Sequence, residues 1–569
     1  MKPLLTFAQP DPRGVERLSK ALGCSPVLAG LLHDRGIQTP EEACFFLNPT
    51  FEQLKDPFTL ADMDKAVERI HTAVFNREKI MVFGDFDADG VTATSLVYDF
   101  LTHVDADVTW YVPHRTKEGY SLHPPQIDKA VLLAVDLIIT VDCGITSVEA
   151  VQAARLEDID VIITDHHEPG TLLPPALAVI NPKRPDCPSG LDFLAGVGVA
   201  FFLVMALRKY FRDKGVWKEL EEPSLIRYLD LFAIGTIGDM VPLIHDNRVL
   251  CQAGIQRMQL GERPGILSLA RVCRIDPLQM DSDDIAFKIV PRINAAGRIS
   301  HARICVSHLT AASLHEAETT ASLLDDLNTR RQHIEKEIVK DIENRIQKTP
   351  SLLDHRLLIL RDLKWNPSVL GIVASRLARK YVCPVVLLSG SQDLAQGSCR
   401  SINQINILQA LNENAPLLER FGGHAMAAGL ALKPENLDRL TQGLRTHMKT
   451  RYTEADFLKS LTIDAELEFD QITLVLAREI DRLRPFGSAN PEPVFLCRNL
   501  QVISSLIMGG FHRKMMLQPK GKFLGSPLEA FHFNVTETQN LPNDYPSLVF
   551  TLKLNKFKPN AMQIIIQDF

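Results

Sequence analysis

The chain has 569 residues, too many for a single hydrophobic core, so roughly three or four domains are expected. Hydrophobic residues make up 46% and no run approaches the ~20 apolar residues of a membrane span, and the N-terminus lacks the pattern of a signal peptide. Ten cysteines without a C-x-x-C pair argue against a zinc ribbon or a disulfide scaffold and favour a cytoplasmic location. The net charge of −7 argues mildly against nucleic acid, although a cleft needs only local positive charge.

Residues 1–70 are predicted to form a helical segment. From residue 71 to about 300, short apolar runs rich in β-branched residues alternate with helical stretches. Such runs are typical of buried parallel strands, and the alternation predicts a doubly wound α/β sheet. Four strands are expected, at residues 79–84, 107–112, 136–141 and 160–164.

The second half of the chain contains three further predicted regions. Residues 301–350 contain no glycine, and no proline before Pro350, and they predict a long connecting helix. Its apolar stripe is formed by Leu323, Leu327, Ile334, Ile338, Ile342 and Ile346. Residues 351–450 predict a smaller α/β domain. Alternating apolar residues across 455–569 predict a small antiparallel barrel. From Leu496 onward, this last segment has eight Lys and Arg residues against four acids, which fits either a solvated surface or a nucleic-acid contact.

Acidic residues follow three of the four predicted parallel strands, at Asp85, Asp142 and Asp165. Ligands of open α/β sheets bind beyond the carboxyl ends of the strands, so these side chains should converge. Asp85 begins an alternating series that continues with Asp87 and Asp89, and Asp165 is followed by His166 and His167. Carboxylates with imidazoles suit Mn²⁺ or Mg²⁺, and crowded carboxylates would repel each other unless two cations neutralised them.

Two other interpretations of these acids fit the sequence less well. An EF-hand-type calcium loop would require a glutamate where Leu96 stands, and an isolated His-His pair is more often structural. Their joint occurrence at three strand ends favours a metal site. Asp239 closes an apolar segment and is either a further metal ligand or a carboxylate that caps a helix end; the sequence leaves both open.

Several positive residues near glycine turns are candidate phosphate ligands. They are weak signals singly, because arginines beside turns are common on protein surfaces. Arg115 follows the second strand directly, and Gly397–Arg400 combines glycine, hydroxyl and guanidinium groups. The candidates are Arg115, Arg298, Ser398, Arg400 and His424.

The ordered motifs together resemble the DHH phosphoesterase superfamily, and in particular its single-strand-specific 5′→3′ exonucleases, across essentially the whole chain. The resemblance rests on eight segments: 84–90, 142–144, 165–167, 234–243, 291–298, 397–401, 421–429 with its Gly-Gly-His loop, and 484–493. It implies a DHH domain at 71–300, a DHH-associated domain at 351–450 and an OB-like single-strand-binding domain at 455–569. One departure is Asn366-Pro367-Ser368, where the family usually carries a histidine.

The resemblance also implies roles for the candidate residues. Asp87 and Asp142 would hold one Mn²⁺ or Mg²⁺, and Asp89, Asp142, His166 and Asp239 would hold the second. His167, with Asp85 and Asp165, would complete the catalytic centre. Arg115, Ser398 and Arg400 would bind the 5′-terminal phosphate, and Arg298 and His424 the phosphates that follow. The barrel would bind the strand through its basic residues, including Arg513 and Lys514, and through aromatic residues at Phe511, Phe531, Phe533 and Phe557.

The implied function is removal of 5′-mononucleotides from single-stranded DNA by two-metal hydrolysis, in DNA repair and recombination. The expected partners are single-stranded DNA, a RecQ-type helicase and a single-strand-binding protein, and the enzyme is expected to be monomeric and not bound to a membrane. Two alternatives stay open. One is another DHH phosphoesterase, acting on oligoribonucleotides or cyclic dinucleotides, and the other is an inactive replication scaffold.

Overall fold

The computed structural model describes the chain except residues 1–2, 403, 536–540, 557, 559 and 569. Its internal contacts divide the chain into two compact units. The smaller unit comprises Met1–Leu5, Ala295–His301 and Leu323–Leu461, and the larger unit comprises Thr6–Asn294, Ala302–Ser322 and Thr462–Phe569. No helix in the described part of the chain is long and apolar enough to cross a membrane.

The N-terminal region is mostly helical, after a short first strand, β1 (Leu4–Phe7). Three of its helices begin with a proline directly after a side chain, Asp11, Ser25 or Thr39, that accepts hydrogen bonds from the first turn. Both features favour a helix start, because the first N–H groups of a helix lack partners within it. The helices are α1 (Pro12–Leu22), α2 (Pro26–Asp34), α3 (Pro40–Leu47) and α4 (Met63–Asn76).

A five-stranded parallel sheet follows, in the order β3-β2-β4-β5-β6. Its elements are β2 (Ile80–Gly84), α5 (Ala88–His103), β3 (Val108–Tyr111), α6 (Pro124–Leu132), β4 (Leu137–Val141), α7 (Val148–Leu156), β5 (Asp160–Thr164) and β6 (Ala178–Ile180). The four predicted strands and the doubly wound sheet are confirmed. β6 was not predicted, because it has only three residues. β2 pairs with β3 on one side and β4 on the other, so the order of winding reverses beside β2.

Seven further α-helices follow in the described residues of this region, and α5, α8 and α9 pack against one another. They are α8 (Gly196–Asp213), α9 (Leu229–Gly238), α10 (His245–Gln259), α11 (Pro264–Val272), α12 (Ser282–Asp284), α13 (Val290–Ile299) and α14 (Arg303–Leu309).

The predicted long helix is α15 (Leu314–Lys348), with 35 residues. It begins later than the stretch without glycine and proline, because the Ser313 hydroxyl accepts a hydrogen bond from the Glu316 N–H and caps the helix there. Of the predicted apolar stripe, Leu323 is exposed; Ile334 is partly buried, and Leu327, Ile338, Ile342 and Ile346 are buried.

The smaller unit is built on a five-stranded sheet in the order β10-β11-β9-β8-β7. Only the β7–β8 pair is parallel. The elements are β7 (Leu358–Arg361), α16 (Leu370–Tyr381), β8 (Val385–Gly390), β9 (Ala395–Arg400), α17 (Ile407–Asn412), β10 (Arg420–His424), β11 (Ala427–Leu432) and α18 (Leu437–Arg451).

The C-terminal region forms a closed five-stranded barrel in the order β14-β15-β16-β18-β17, with β17 pairing back to β14. This is the strand order of an OB fold, as predicted. Its apolar core is continuous with residues of α1, α2 and α3. The elements are β12 (Ser460–Ile463, paired with β1), β13 (Ala465–Glu466), α19 (Leu474–Asp481), β14 (Phe495–Met508), β15 (His512–Pro519), β16 (Leu528–His532), β17 (Asp544–Leu554) and β18 (Met562–Asp568).

Candidate metal centre and phosphate-binding residues

The acidic residues predicted at strand ends converge at the point where the winding of the sheet reverses. Asp85 follows β2, Asp142 follows β4 and Asp165 follows β5. Because β2 and β4 are adjacent, with β3 on the far side of β2, a crevice opens beyond their carboxyl ends. The fold therefore brings these side chains together, although 80 residues separate the first from the last.

His166 lies at the centre of the cluster. Its Nε2 is 3.2 Å from Asp142 Oδ1, 3.7 Å from Asp89 Oδ2 and 3.7 Å from Asp239 Oδ2. Two sets of side chains each present ligand atoms within 4.8 Å of one another; these are Asp85 with Asp87 and Asp142, and Asp89 with His166 and Asp239. Asp142 also forms such a set with His166 and His167, so it lies between the two groups. Each group has the oxygen and nitrogen donors that Mn²⁺ and Mg²⁺ accept.

Close backbone approaches position the two central carboxylates. Asp142 has a φ of 61°, a left-handed conformation that costs a non-glycine residue about 1 kcal/mol or more. Gly196, at the start of α8, faces it: a Cβ there would lie 2.4 Å from the Asp142 Cβ. The N–H groups of Gly196 and Val197 donate to the two oxygens of Asp89, at 2.6 and 2.8 Å. The first turn of α8 therefore orients Asp89 and leaves room for Asp142.

The electrostatics of the cluster call for cations. Burial, and then the charge of neighbouring carboxylates, raises the pKa of Asp85 and Asp142 well above the usual range. The same causes raise the pKa of Asp89 to about 7 and that of Asp239 to about 8. Asp85 Oδ1, Asp142 Oδ1 and His166 Nε2 are buried and have no hydrogen-bond partner among the described residues. Buried acceptors of this kind are costly unless a metal ion satisfies them, so the residues present fit a divalent cation site.

The two histidines differ in charge. Burial, and then the charge of His167, lowers the pKa of His166 to about 3, so His166 is neutral, as a metal ligand must be. Burial opposes the charging of His167, but a 2.8 Å contact from its Nδ1 to Asp165 Oδ1 and the nearby carboxylates raise its pKa to about 9.

Asp165 has a different position from the other acids. Its oxygens accept hydrogen bonds from the N–H groups of Ile145, His166 and His167, as well as contacting the His167 ring. Burial opposes its ionisation, but the contact with His167 outweighs this and lowers the pKa. Asp165 is thus occupied as an acceptor and orients His167.

Two residues beside the cluster were not identified from the sequence. The Tyr120 hydroxyl lies 2.9 Å from His167 Nδ1 and 3.3 Å from the Asp142 carbonyl, to which it donates. Lys183, just beyond β6, lowers the pKa of Asp239 through its charge, although burial and the aspartates outweigh it. The rule that located the aspartates, which is to look just beyond the end of each strand, would also have indicated Lys183. It could not be applied there because β6 was not predicted.

Arg115 lies beside the metal cluster, as the strand-end rule predicts. Its guanidinium stacks over the Phe86 ring at 4.7 Å, and its charge acts to lower the pKa of Asp85, against the larger effect of burial.

The other predicted phosphate ligands belong to the smaller unit. Ser398 and Arg400 lie on β9, and exposed His424 ends β10. Arg298 donates from Nη1 to the Ser368 carbonyl at 2.7 Å. The segment Asn366-Pro367-Ser368, which differs from the family pattern, has a local structural role. The Asn366 side chain accepts a hydrogen bond from the Ser368 N–H and caps the turn before α16.

Arg513 and Lys514 are adjacent on β15 but differ in environment. Arg513 is only 2% exposed and donates to Pro542, Asn543 and Tyr545 inside the barrel, so it does not face a ligand. Lys514 lies on the outer face, 5.6 Å from the Phe531 ring, and pairs with Glu529 at 2.6 Å.

The predicted aromatic residues also meet on this outer face. Phe531 and Phe533 are stacked at 5.9 Å, and the His512 ring contacts both Phe533 and Phe511. Phe557 lies outside the described residues.

Paired cation-binding groups at the switch point of a doubly wound sheet define a metal-dependent phosphoesterase. Comparison with known proteins agrees. Residues 79–236 match the DHH family N-terminal domain, residues 354–450 the DHHA1 domain and residues 463–568 the RecJ OB domain.

The chain is 35% identical to the single-stranded-DNA-specific exonuclease RecJ of Bacillus subtilis over 98% of its length and 70% of that protein's. Against the RecJ of Salmonella typhimurium it is 35% identical, with 95% of each chain covered. The crystal structure of Thermus thermophilus RecJ with Mn²⁺ superimposes with a TM-score of 0.81 at 28% identity, covering 99% of this chain and 78% of that one. The same Thermus protein has also been solved with Mg²⁺. The chain belongs to the RecJ family of single-stranded-DNA-specific exonucleases.

Proposed function

We propose that this protein is an exonuclease that degrades single-stranded DNA from the 5′ end and releases 5′-mononucleotides. The observation that carries the proposal is the cluster of candidate metal ligands, in which buried carboxylate and imidazole atoms have no hydrogen-bond partner among the residues that the structure describes. An inactive scaffold would gain nothing from such a cluster, because unpaired buried acids destabilise a fold.

The residues of the cluster divide the catalytic work. Asp87 and Asp142, with Asp85 beside them, would hold one divalent cation, and Asp89, Asp142, His166 and Asp239 would hold the other. Bound there, the cations would supply an activated water nucleophile and neutralise charge on the phosphoryl oxygens. His167 is held by Asp165 and Tyr120 through Nδ1, so its Nε2 is the atom available to stabilise charge at the scissile phosphate.

Arginine and hydroxyl groups would recognise the end of the strand. Guanidinium groups bind phosphate with two parallel hydrogen bonds, which favours a terminal phosphate with its extra charge and open oxygens. We assign this role to Ser398 and Arg400, together with Arg115. Arg298 and His424 would contact the phosphates that follow.

The outer face of the barrel would bind the incoming strand. OB folds bind oligonucleotides on the face of their second and third strands, which here are β15 and β16. Phe531, Phe533 and Lys514 lie on that face, and stacking beside a cation is the way single strands are bound without sequence preference. This face also favours a nuclease for long strands over a phosphodiesterase for dinucleotides.

The wider setting follows from that activity. A nuclease restricted to single strands needs an unwound substrate, so a RecQ-type helicase and a single-strand-binding protein are the partners we propose. We further propose that the protein acts as a monomer in the cytoplasm, in DNA repair and recombination.

The experiment that tests the proposal uses internally labelled single-stranded DNA with Mn²⁺. One set of strands is blocked at the 5′ end and a matched set at the 3′ end, and Asp87→Ala protein is the control. We expect mononucleotide release that only the 5′ block stops and that the variant lacks. Release stopped only by the 3′ block would refute the polarity, and no release from either strand would refute the nuclease.

A further inference from the structure

Gly371 is the second residue of α16 and lies directly against the proposed 5′-phosphate ligands. A Cβ at this position would stand 2.7 Å from Arg400 Nη2, 3.3 Å from Arg400 Cζ and 3.4 Å from Ser398 Oγ. The helical backbone gives no other reason for glycine here, because Gly371 does not have the positive φ that favours glycine. The absent side chain is therefore explained by the space that the guanidinium occupies.

We propose that Gly371 is a positioning residue that sets the preference for a 5′-terminal phosphate, by letting the Arg400 guanidinium lie against α16 beside Ser398. This inference rests on the proposed function and extends it to the choice of strand end. A bidentate contact to phosphate depends on the direction of the guanidinium plane, so a small displacement weakens it.

The end of the Arg400 side chain, and not the backbone, is what a methyl group at Gly371 would meet first. Its Nη1 donates to its neighbour's carbonyl, that of Cys399, at 2.8 Å. The atoms that a methyl group at Gly371 would meet most closely belong to the mobile end of the Arg400 side chain, and no backbone atom is among its three nearest neighbours. Alanine should thus move the guanidinium and leave the helix in place. Gly397 is different, since a Cβ there would stand 1.8 Å from the Leu387 carbonyl oxygen.

The test compares Gly371→Ala, Arg400→Lys and the double variant with the wild type. Two strands of one sequence are used, one with a 5′-phosphate and one with a 5′-hydroxyl, and kcat/KM is measured on each with Mn²⁺. We expect Gly371→Ala to lower kcat/KM by about tenfold or more on the phosphorylated strand and by less than about twofold on the hydroxyl strand. Arg400→Lys should show the same pattern, and the double variant should lose no more than the greater single loss.

Gly30→Ala is the matched control, because Gly30 lies inside α2 and a Cβ there would meet only Pro10, at an ordinary 3.7 Å. It should leave both rates unchanged. Equal losses on both strands for Gly371→Ala, additive losses in the double variant, or a fall in the thermal midpoint would each overturn the inference. A wild type that degrades both strands equally from the 5′ end would overturn it too, while leaving the proposed exonuclease standing. A wild type that degrades neither would instead refute the proposed function.

Discussion

The cluster of candidate metal ligands and the barrel are both rich in charged residues, but they differ in whether those charges are paired. In the cluster, like charges crowd together, and buried atoms of Asp85, Asp142 and His166 have no hydrogen-bond partner within the described part of the chain. In the barrel, most of the cations are paired with acids, as in Arg498 with Glu466 and Lys520 with Asp544. Further pairs tie the barrel to the segment before α13, namely Lys553 with Asp283 and Lys556 with Asp281 and Asp284.

This difference shows which charges are free to act on a ligand. A paired surface cation contributes little to stability and has less charge to offer a phosphate. Unpaired buried carboxylates destabilise the fold, so their presence indicates a ligand that compensates them. The positive excess of the C-terminal segment was therefore a weaker functional signal than the aspartates at the strand ends.

The largest effect on activity is expected from a change to the carboxylate that bound cations would neutralise most, that of Asp142. Asp142→Asn should lower kcat by about a thousandfold or more, since Asp142 belongs to two of the candidate metal-binding groups. Affinity for single-stranded DNA, measured by fluorescence anisotropy, should change by less than about threefold, because strand contacts lie elsewhere. Asp136→Asn, just before the start of the same strand, is the control and should keep full activity. A strong loss of DNA binding in Asp142→Asn would contradict the division between cluster and barrel.

Metal removal is the second test. Ligand binding to the folded state stabilises it by about 2.7 kcal/mol when the ligand is at a hundred times its Kd. Adding Mn²⁺ to protein stripped with a chelator should thus raise the thermal midpoint, as measured by calorimetry, because the cations relieve repulsion among the carboxylates. The increase should be smaller in Asp142→Asn and unchanged in Lys514→Ala. An equal increase in Asp142→Asn would mean that Mn²⁺ stabilises the protein at another place.

The sequence predicted the cluster well because its signals are local. A buried parallel strand is a short apolar run, and the acid that follows each run can be found without knowing the fold. The same rule failed at β6, whose three residues follow a proline-containing loop and give too short a run. Because β6 was not predicted, Lys183 was not identified either; it lies two residues beyond Asn181 at the same edge of the sheet.

The ion pairs of the barrel could not be predicted, because their partners are far apart in the chain. Lys553 contacts Asp283, 270 residues away, and nothing in the local pattern of either residue indicates the other. Arg513 and Lys514 are a milder case. Side chains alternate between the faces of a strand, so only one of the two could face a ligand, but the sequence does not say which.

The aromatic face of the barrel offers the third test. Phe533 is 46% exposed and stacks on Phe531, so Phe533→Ala should weaken binding of a long single strand by about tenfold, within the ~1–3 kcal/mol per stacked base. The affinity is measured in the Asp142→Asn background to prevent cleavage. Phe75→Ala, which removes a ring that is 82% exposed on α4, should have no effect. Equal affinities for the two variants would exclude Phe533 from the strand path.

The smallest expected effect is on strand binding, and it should distinguish substitution of Lys514 from substitution of Arg513. Lys514→Ala should leave the thermal midpoint unchanged, weaken strand binding a few-fold, and reduce the slope of log affinity against log salt by about 0.7, the value for one phosphate contact on a single strand. Its pairing with Glu529 keeps the effect small.

Arg513→Ala should do the reverse. It removes a buried guanidinium with four hydrogen-bonded partners, at Ser505, Pro542, Asn543 and Tyr545, so it should lower the thermal midpoint and leave the salt slope as it is. Salt titrations and melting curves of the two variants decide the matter side by side. A lower salt slope for Arg513→Ala at an unchanged thermal midpoint would contradict this. It would mean that Arg513 contacts a phosphate of the strand although its guanidinium is hydrogen-bonded inside the barrel. The contrast between paired and unpaired charge would then not indicate which residues bind the strand.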